Sequence, residues 1–517
     1  MVMKTVIKLA LIALLWITII NPANLPPDTD ARLRMAHALW TGTEEVSLPP
    51  NYRPSSRLDH VGVLGVDGKR YEAYDIGQSL LMLPADWIGT QLSKVFPSIK
   101  PYLLREFAVS FLVVIPLNVL VVISCYWLLR LFDFQEKIAA SASLIWLLGT
   151  TVLHYAQTFQ QNNPVLLCVI LGYACALAYI KTNKVPYVFL SGLAIGAAII
   201  IRSTTIIYAL TVFGFLISCL IYKNFKLNQI FKTVILWNVG LFPFFFVSRL
   251  FNYLRFGDFW TTAASLSIEQ IRNGAIFSGL PELPPNYPFI HPPYVGILGV
   301  LFSPAKSIFI YDPFLLPCLV LGIILFNKLT PYIRIYFISS IFALVFHIIL
   351  TSTMDFWHGD GSWAARYHVT SVQLLLLPLI ALLILEMLSV NRLKRWLISG
   401  LVVLSILVQF TSLVFDPSVN SGVVIFAEPK SFLRFRLAER IDSVSCFIGL
   451  SRSQSCLTEE KYSKSALASR KYSKSDLASR VYFWPLKSNK AQGLLWKIWG
   501  FLLITALIST LLFLVIG

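Results

Sequence analysis

The chain reads as an all-α polytopic membrane protein of about twelve transmembrane helices, and three observations lead there. Hydrophobic residues make up 56% of the 517 positions and charged residues only 13%, about half the charged share of a typical soluble domain. Apolar runs of roughly 17–24 residues recur from end to end, the length that crosses ~30 Å of hydrocarbon. Such runs form helices because lipid offers no partner to an open backbone. Finally, the Lys and Arg residues flank these runs. The net charge of +17 suits an anionic bilayer surface. Its scatter over span ends, rather than along one stripe, argues against a nucleic-acid partner.

In chain order, spans are predicted at 4–21, 107–130, 138–155, 164–181, 186–201, 204–222, 232–250, 308–327, 335–353, 369–389, 396–415 and 494–516. The first has a basic start (Lys4, Lys8) but no small-residue cleavage site, so it is expected to be a retained anchor rather than a removed leader. With twelve spans, Lys181 and Lys184, Lys223, Lys226 and Lys232, Lys328 and Arg334, and Arg392, Lys394 and Arg395 share one side. The positive-inside rule makes that side cytoplasmic. The longer segments then face outward: 22–104, the Pro-rich 251–307, the short 354–368, and 416–493. Interfacial helices are expected at 31–41 and 79–96, where the first outer loop is too apolar to float freely.

The expected organisation is a membrane module over 1–415, a polar outer loop over 416–493, and a C-terminal span over 494–517. The polar loop carries a duplication, Lys461–Arg470 followed by Lys471–Arg480; two copies are too few for a solenoid. Five cysteines fall within spans and read as small apolar residues. Cys446 and Cys456, in the polar loop, are a candidate disulfide in an oxidising compartment.

Polar residues that carry chemistry collect at the outer span ends. Asp28 and Asp30 follow the first span in a chain with only 26 acids against 43 Lys plus Arg. A carboxylate at the mouth of a helical bundle is where a general base for interfacial chemistry would sit. Pro27-Asp28 ahead of Leu33, Ala36 and Trp40 also fits a helix N-cap. Arg32 and Arg34 have the charge to orient the pair or hold an anion. Glu72, Asp75 and Gln78 lie where a polar segment turns into an apolar run, and read either as ligands for a metal or acceptor or as a solvated turn. His154 and Tyr155 belong to a turn rich in uncharged hydrogen-bonders that suits sugar hydroxyls or a plain polar turn. Arg202 ends an apolar run in a tight outer turn; a guanidinium there fits a lipid-linked phosphate or snorkels to headgroups. The segments Phe251–Asp258 and Leu301–Ser307, alone, read as ordinary interfacial span ends. In the late outer loop, His358, Arg366 and His368 suit an anionic leaving group, Trp357 and Trp363 offer flat faces for a sugar ring, and Asp360 and Tyr367 are further substrate contacts. No P-loop, zinc-spaced Cys/His set or HExxH appears, which argues against a P-loop pump and a zinc protease.

Four of these segments together resemble the C-type (GT-C) integral membrane glycosyltransferases. They are the acidic motif and helix Asp28–Gly42, the segment Tyr71–Pro84, the middle loop Phe251–Gly257 with Gly299–Ser307, and the late loop Asp355–Tyr367. The likeness spans residues 1–390. It implies a polyprenyl-phosphate sugar donor, a glycan, lipid or protein acceptor, and inverting transfer on the non-cytoplasmic face of the plasma (inner) membrane. The family's first loop acid, its base, carries over to Asp28. Many members have Asp-Glu there; the Asp28-Thr29-Asp30 of this chain leaves the base open between the two acids, and metal dependence open as well. Donor phosphate is then expected at Arg202, Arg366 and His358. A lipid-linked-sugar flippase and a non-catalytic scaffold are the competing readings. A flippase would want ionisable groups at mid-membrane and inverted repeats, and neither pattern is evident.

Overall fold

In the computed structural model of the protein, the described residues are 2–359, 361–416, 419, 433–450, 477, 480–482 and 492–516. They form helices α1 (Val2–Ile20), α2 (Pro27–Thr41), α3 (Gly77–Val95), α4 (Pro101–Val109), α5 (Ile115–Leu131), α6 (Glu136–Gly149), α7 (Val152–Thr158), α8 (Asn162–Thr182), α9 (Pro186–Ile201), α10 (Ile206–Tyr222), α11 (Leu227–Phe256) and α12 (Ala263–Asn273). There follow α13 (Pro293–Phe302), α14 (Ile308–Tyr311), α15 (Leu315–Ile324), α16 (Pro331–Thr351), α17 (Val369–Ser389), α18 (Arg392–Leu413), α19 (Arg436–Phe447) and α20 (Gln492–Ile516). The strands among the described residues are the antiparallel pair β1 (Val63–Leu64) and β2 (Arg70–Tyr71). Proline opens α2, α4, α9, α13 and α16, where its missing N–H is not needed. Gly42 and Gly257 end α2 and α11 in the left-handed conformation that closes a helix.

Nine helices among the described residues are long and apolar enough to cross a membrane, and α6 with α7, bent by 62°, makes a tenth. The span expected at 186–201 is the 16-residue apolar helix α9 over those same residues, and the one expected at 308–327 appears as the shorter apolar helix α15. In the second case, the break at Asp312-Pro313 delays the helix to Leu315, and it ends at Ile324. The helices expected at 31–41 and 79–96 are present as α2 and α3, each starting a few residues early.

The chain divides into two compact units. The first comprises Met1–Pro22, Asn118–Thr158 and His291–Gly517. Its centre is α17, buried from Val369 through Ala381 between α6, α15 and α16. Asp312 is a buried polar node there: it accepts the Thr151 amide at 2.8 Å, the Thr151 hydroxyl at 2.9 Å and the Gln373 amide at 3.1 Å. The segment read as a polar outer loop is in part a packed element. In α19, Leu437 packs with Tyr311, Trp363, Ala364 and Val408. Arg440 donates to the carbonyls of Ser412, Phe415 and Val419 and so closes the C-terminal end of α18. Cys446 is buried in the same element. Cys456 lies outside the described residues, as does the duplication except for Leu477 and Arg480.

The second unit comprises Ala23–Leu117 and Phe159–Ile290. Its frame is α8 to α11. A Cβ at Gly192 of α9 would lie 2.0 Å from the Trp237 carbonyl oxygen, and one at Gly240 of α11 2.2 Å from that of Phe189. Small residues thus let two apolar helices touch backbone to backbone, the usual solution in lipid. The Trp237 indole donates to Ser191 at 3.2 Å across the same contact. On this frame sit α2, α3 and α4, which carry the first acidic segment.

Candidate active site

In the second unit, the two acids lie in the first turn of α2. Pro26 is the N-cap and Pro27 opens the helix, with no side-chain cap, so the expected N-cap role of Asp28 is corrected: the proline before it starts the helix one residue too soon. Both carboxylates therefore lie beside the open N–H groups of a helix N-terminus, which favour negative charge. Asp28 Oδ1 accepts the Tyr74 hydroxyl at 3.2 Å. Its carbonyl accepts Arg32 Nη1 at 2.7 Å, and that guanidinium, itself buried, lies 4.0 Å over the Tyr74 ring. One aromatic thus braces the acid and the cation together.

Asp30 is held differently. Arg34, one turn on, pairs with Asp30 and also places Nη2 3.0 Å from Glu72 Oε1. Glu72 is fully buried, and its other oxygen lies 2.8 Å from Nε2 of His60. The hydrogen bond to Glu72 holds the His60 imidazole above its ordinary pKa, against the opposing effect of its burial. The Glu72 amide donates to Glu45 at 2.8 Å, and Glu45 pairs with Arg255, whose guanidinium lies against the rings of Phe251 (4.0 Å) and Tyr71 (4.5 Å). The span end at Phe251–Asp258 is therefore more than an interfacial terminus: it anchors the β1–β2 segment beneath Asp30.

Three turns close round α2. Asp75 Oδ2 accepts the Ser203 amide at 2.8 Å. Burial pushes the Asp75 carboxyl pKa up, opposed by the Ser203 bonds and the charges of Arg32 and Arg249. Gln78 Nε2 donates to the Phe159 carbonyl at 2.8 Å, and Thr29 Oγ1 reaches the same oxygen at 3.0 Å. Gln161 donates to the Ile201 carbonyl at 2.6 Å. The next residue, Arg202, is half-buried at the end of α9; its amide bonds Ala198 and its carbonyl accepts the Thr205 amide and hydroxyl. Asp28, Asp30, Arg32, Glu72, Asp75, Gln78 and Arg202 thus belong to one assembly of α2, the α3 entry and the α9–α10 turn.

Sequence reasoning missed Glu45 and His60 and, in the same unit, Asp86. Asp86, mid-α3 and fully buried, accepts from His37 at 2.9 Å and Trp40 at 2.8 Å, and pairs with Arg105. A lone acid inside the apolar run 79–96 was the available signal.

The remaining candidates lie in the first unit. His154 and Tyr155 are buried, not displayed in an open turn: His154 Nδ1 lies 3.0 Å from the Ser412 hydroxyl, and the Tyr155 hydroxyl donates to the Trp363 carbonyl at 2.7 Å. Trp357 is buried over Gly299, where an added Cβ would lie 2.1 Å from its ring. His358 packs edge-on against Trp357 at 5.5 Å. Trp363 is buried edge-on against Tyr311 at 4.7 Å. Their ring faces are engaged within the protein. Arg366 and Tyr367 are half-buried, with Arg366 5.3 Å from the centre of the Tyr367 ring. His368 is buried against Thr351 at 2.9 Å, and Asp360 lies outside the described residues. Lys306, expected at an ordinary span end, is fully buried and donates to the Ser362 and Ala364 carbonyls at 2.7 and 3.2 Å. Among the described residues, no three His, Cys, Asp or Glu side chains converge as a metal site.

Residues 91–218 match the model of glycosyltransferase family 87. No curated protein matches the chain in sequence. Among solved structures, the oligosaccharyltransferase AglB from Archaeoglobus fulgidus, in complex with an inhibitory peptide and a dolichol-phosphate, is similar at 11% identity and a TM-score of 0.46, over 89% of this chain and 61% of its own. ArnT from Cupriavidus metallidurans, bound to undecaprenyl phosphate, is similar at 14% identity and a TM-score of 0.40, over 88% of this chain and 80% of its own. The chain spans about three fifths of the length of AglB.

Proposed function

We propose that the chain is a membrane glycosyltransferase that moves a sugar from a polyprenyl-phosphate donor to an acceptor hydroxyl, with inversion, at the non-cytoplasmic face of the plasma (inner) membrane. The observation that carries the reading is the placement of Asp28 and Asp30 at the start of α2, each held by its own partner, Tyr74 and Arg34. The family match over residues 91–218 supports the reaction class. Asp28 accepts the acceptor's hydroxyl proton as that oxygen bonds to the anomeric carbon. The bond from that carbon to the phosphate oxygen breaks, and the lipid phosphate leaves with the electron pair. Arg202, at a turn tied to Asp75, offers the phosphate a guanidinium. Roles for Arg366 and His358 toward a donor phosphate are proposed on sequence resemblance alone. Asp30, fixed by Arg34, orients the acceptor.

The test is transfer from a polyprenyl-phosphate sugar by purified Asp28→Asn and Asp30→Asn proteins that elute as wild type. Removal of the base is expected to lower kcat by about 10²–10⁴-fold. A normal rate in Asp28→Asn sinks the base assignment. A chain that carries lipid-linked sugar across vesicles without transferring it is a flippase instead.

A further inference from the structure

The first unit holds a cavity of about 780 Å³ between α1, α6 and α20. Its walls include the apolar side chains of Leu11, Ile12, Leu512 and Phe513, and also the charged Lys8, Glu136 and Lys137. Two hydrogen bonds pin α20 to α1 nearby, from Trp16 to Thr510 at 2.9 Å and from Trp499 to the Ile19 carbonyl at 3.1 Å. The walls are therefore set by side-chain bonds as well as by packing.

The charges are the informative part. Lys8, Glu136 and Lys137 line one cavity, yet among the described residues none of them forms an ion pair. Glu136 is half-buried, and its Oε1 makes no hydrogen bond. Adjacent positions on a helix do not face each other, so Lys137 is poorly placed to neutralise Glu136. A carboxylate oxygen left without a donor is costly and calls for one. The cavity thus presents two cations, one carboxylate, and an apolar wall long enough for chain methylenes.

We propose that this cavity is a binding site for a zwitterionic aminophospholipid with an ethanolamine headgroup. Lys8 and Lys137 meet its phosphate, Glu136 takes its ammonium, and an acyl chain lies along Leu11, Ile12, Leu512 and Phe513. The chemistry sets a ranking. A choline headgroup has no N–H to give Glu136, and a glycerol headgroup offers it hydroxyl donors but no positive charge. The ethanolamine lipid gives Glu136 N–H donors and an opposite charge together, while its phosphate meets the two lysines.

The experiment is native mass spectrometry of the full chain released from nanodiscs containing equal amounts of phosphatidylethanolamine, phosphatidylcholine and phosphatidylglycerol. The wild type is expected to retain the ethanolamine lipid at least several-fold over the other two. Glu136→Gln should abolish that preference over phosphatidylcholine while keeping a bound lipid, and Lys8→Gln/Lys137→Gln should reduce retention of all three. Leu512→Trp, which fills the wall without touching the charges, should displace bound lipid. Equal retention of the three lipids by wild type, or an unchanged preference in Glu136→Gln, overturns the proposal. The readout is lipid retention and is independent of any sugar transfer.

Discussion

Arg34 reaches from α2 to the buried Glu72, placing Nη2 3.0 Å from Oε1 while its other nitrogen holds Asp30. One guanidinium thus ties an acid of the candidate catalytic turn to a carboxylate with no exposed surface. The arrangement uses the planar fork of arginine, which a lysine ammonium does not reproduce. Arg34→Met is expected to lower stability by about 1–3 kcal/mol, the cost of stranding a buried acceptor. It should fall short of a fully buried pair, because Arg34 is 42% exposed and water screens part of the interaction. Arg34→Lys should recover less than half. Thermal unfolding in detergent checks this, with Glu72→Gln closing a double-mutant cycle; additive effects of the two single changes would show that the pair is not coupled.

His60 makes stability depend on pH. Its folded pKa is raised by the hydrogen bond to Glu72, so its contribution is fully present below the ordinary imidazole value of ~6.5. It is lost as pH rises through the raised folded value. The unfolding temperature of the wild type should therefore fall, as the pH is raised above the ordinary imidazole value, more steeply than that of His60→Gln. Parallel curves for the two proteins would remove His60 from the account.

Gly77 sets how closely α3 meets α9. An added Cβ would lie 2.5 Å from the Ile201 amide nitrogen and 2.6 Å from the Ile200 carbonyl oxygen, distances backbone atoms cannot relieve by a rotamer change. Gly77→Ala is expected to push the helices apart, stretch the Asp75–Ser203 bond and cost about 1–3 kcal/mol. The rate of the proposed sugar transfer should fall as the Arg202 turn moves with it. A variant as stable and active as wild type would show that the two helix ends slide without consequence.

The spans and the helices of the first acidic segment were legible because lipid forces a simple rule: an apolar run of sufficient length becomes a helix. The same rule over-read 308–327, where hydropathy continues through Asp312 and Pro313 but the helix does not. The pairing of Asp30 with Arg34 was legible at one-turn spacing. Its further partners were not: Glu72 meets Arg34, and His60 meets Glu72, across the short β1–β2 pair, which carries no periodic signal. Lys306 and Arg436 were invisible for a related reason. Each bonds backbone carbonyls of a distant loop, and a carbonyl acceptor leaves no mark in the sequence.

That loop supports a last prediction. Four successive carbonyls, Gly361 to Ala364, each accept from a side chain: Arg436 at 3.5 Å, Lys306 at 2.7 Å, the Tyr155 hydroxyl at 2.7 Å, and Lys306 again at 3.2 Å. Ala364 is held in the left-handed region at φ +56°, a conformation that costs an L-residue about 1–2 kcal/mol and persists only where its surroundings impose it. Tyr155 is the cleanest member to remove, since Tyr155→Phe deletes one oxygen and leaves the packing intact. The Trp363 carbonyl would lose its donor in a site closed to water, at a cost of about 1–3 kcal/mol. The expected result is a lower unfolding temperature in detergent together with faster proteolytic cleavage within 357–366. An unchanged melting temperature and cleavage rate would mean that the loop keeps its shape without the hydroxyl, and that Lys306 and Arg436 suffice to hold it.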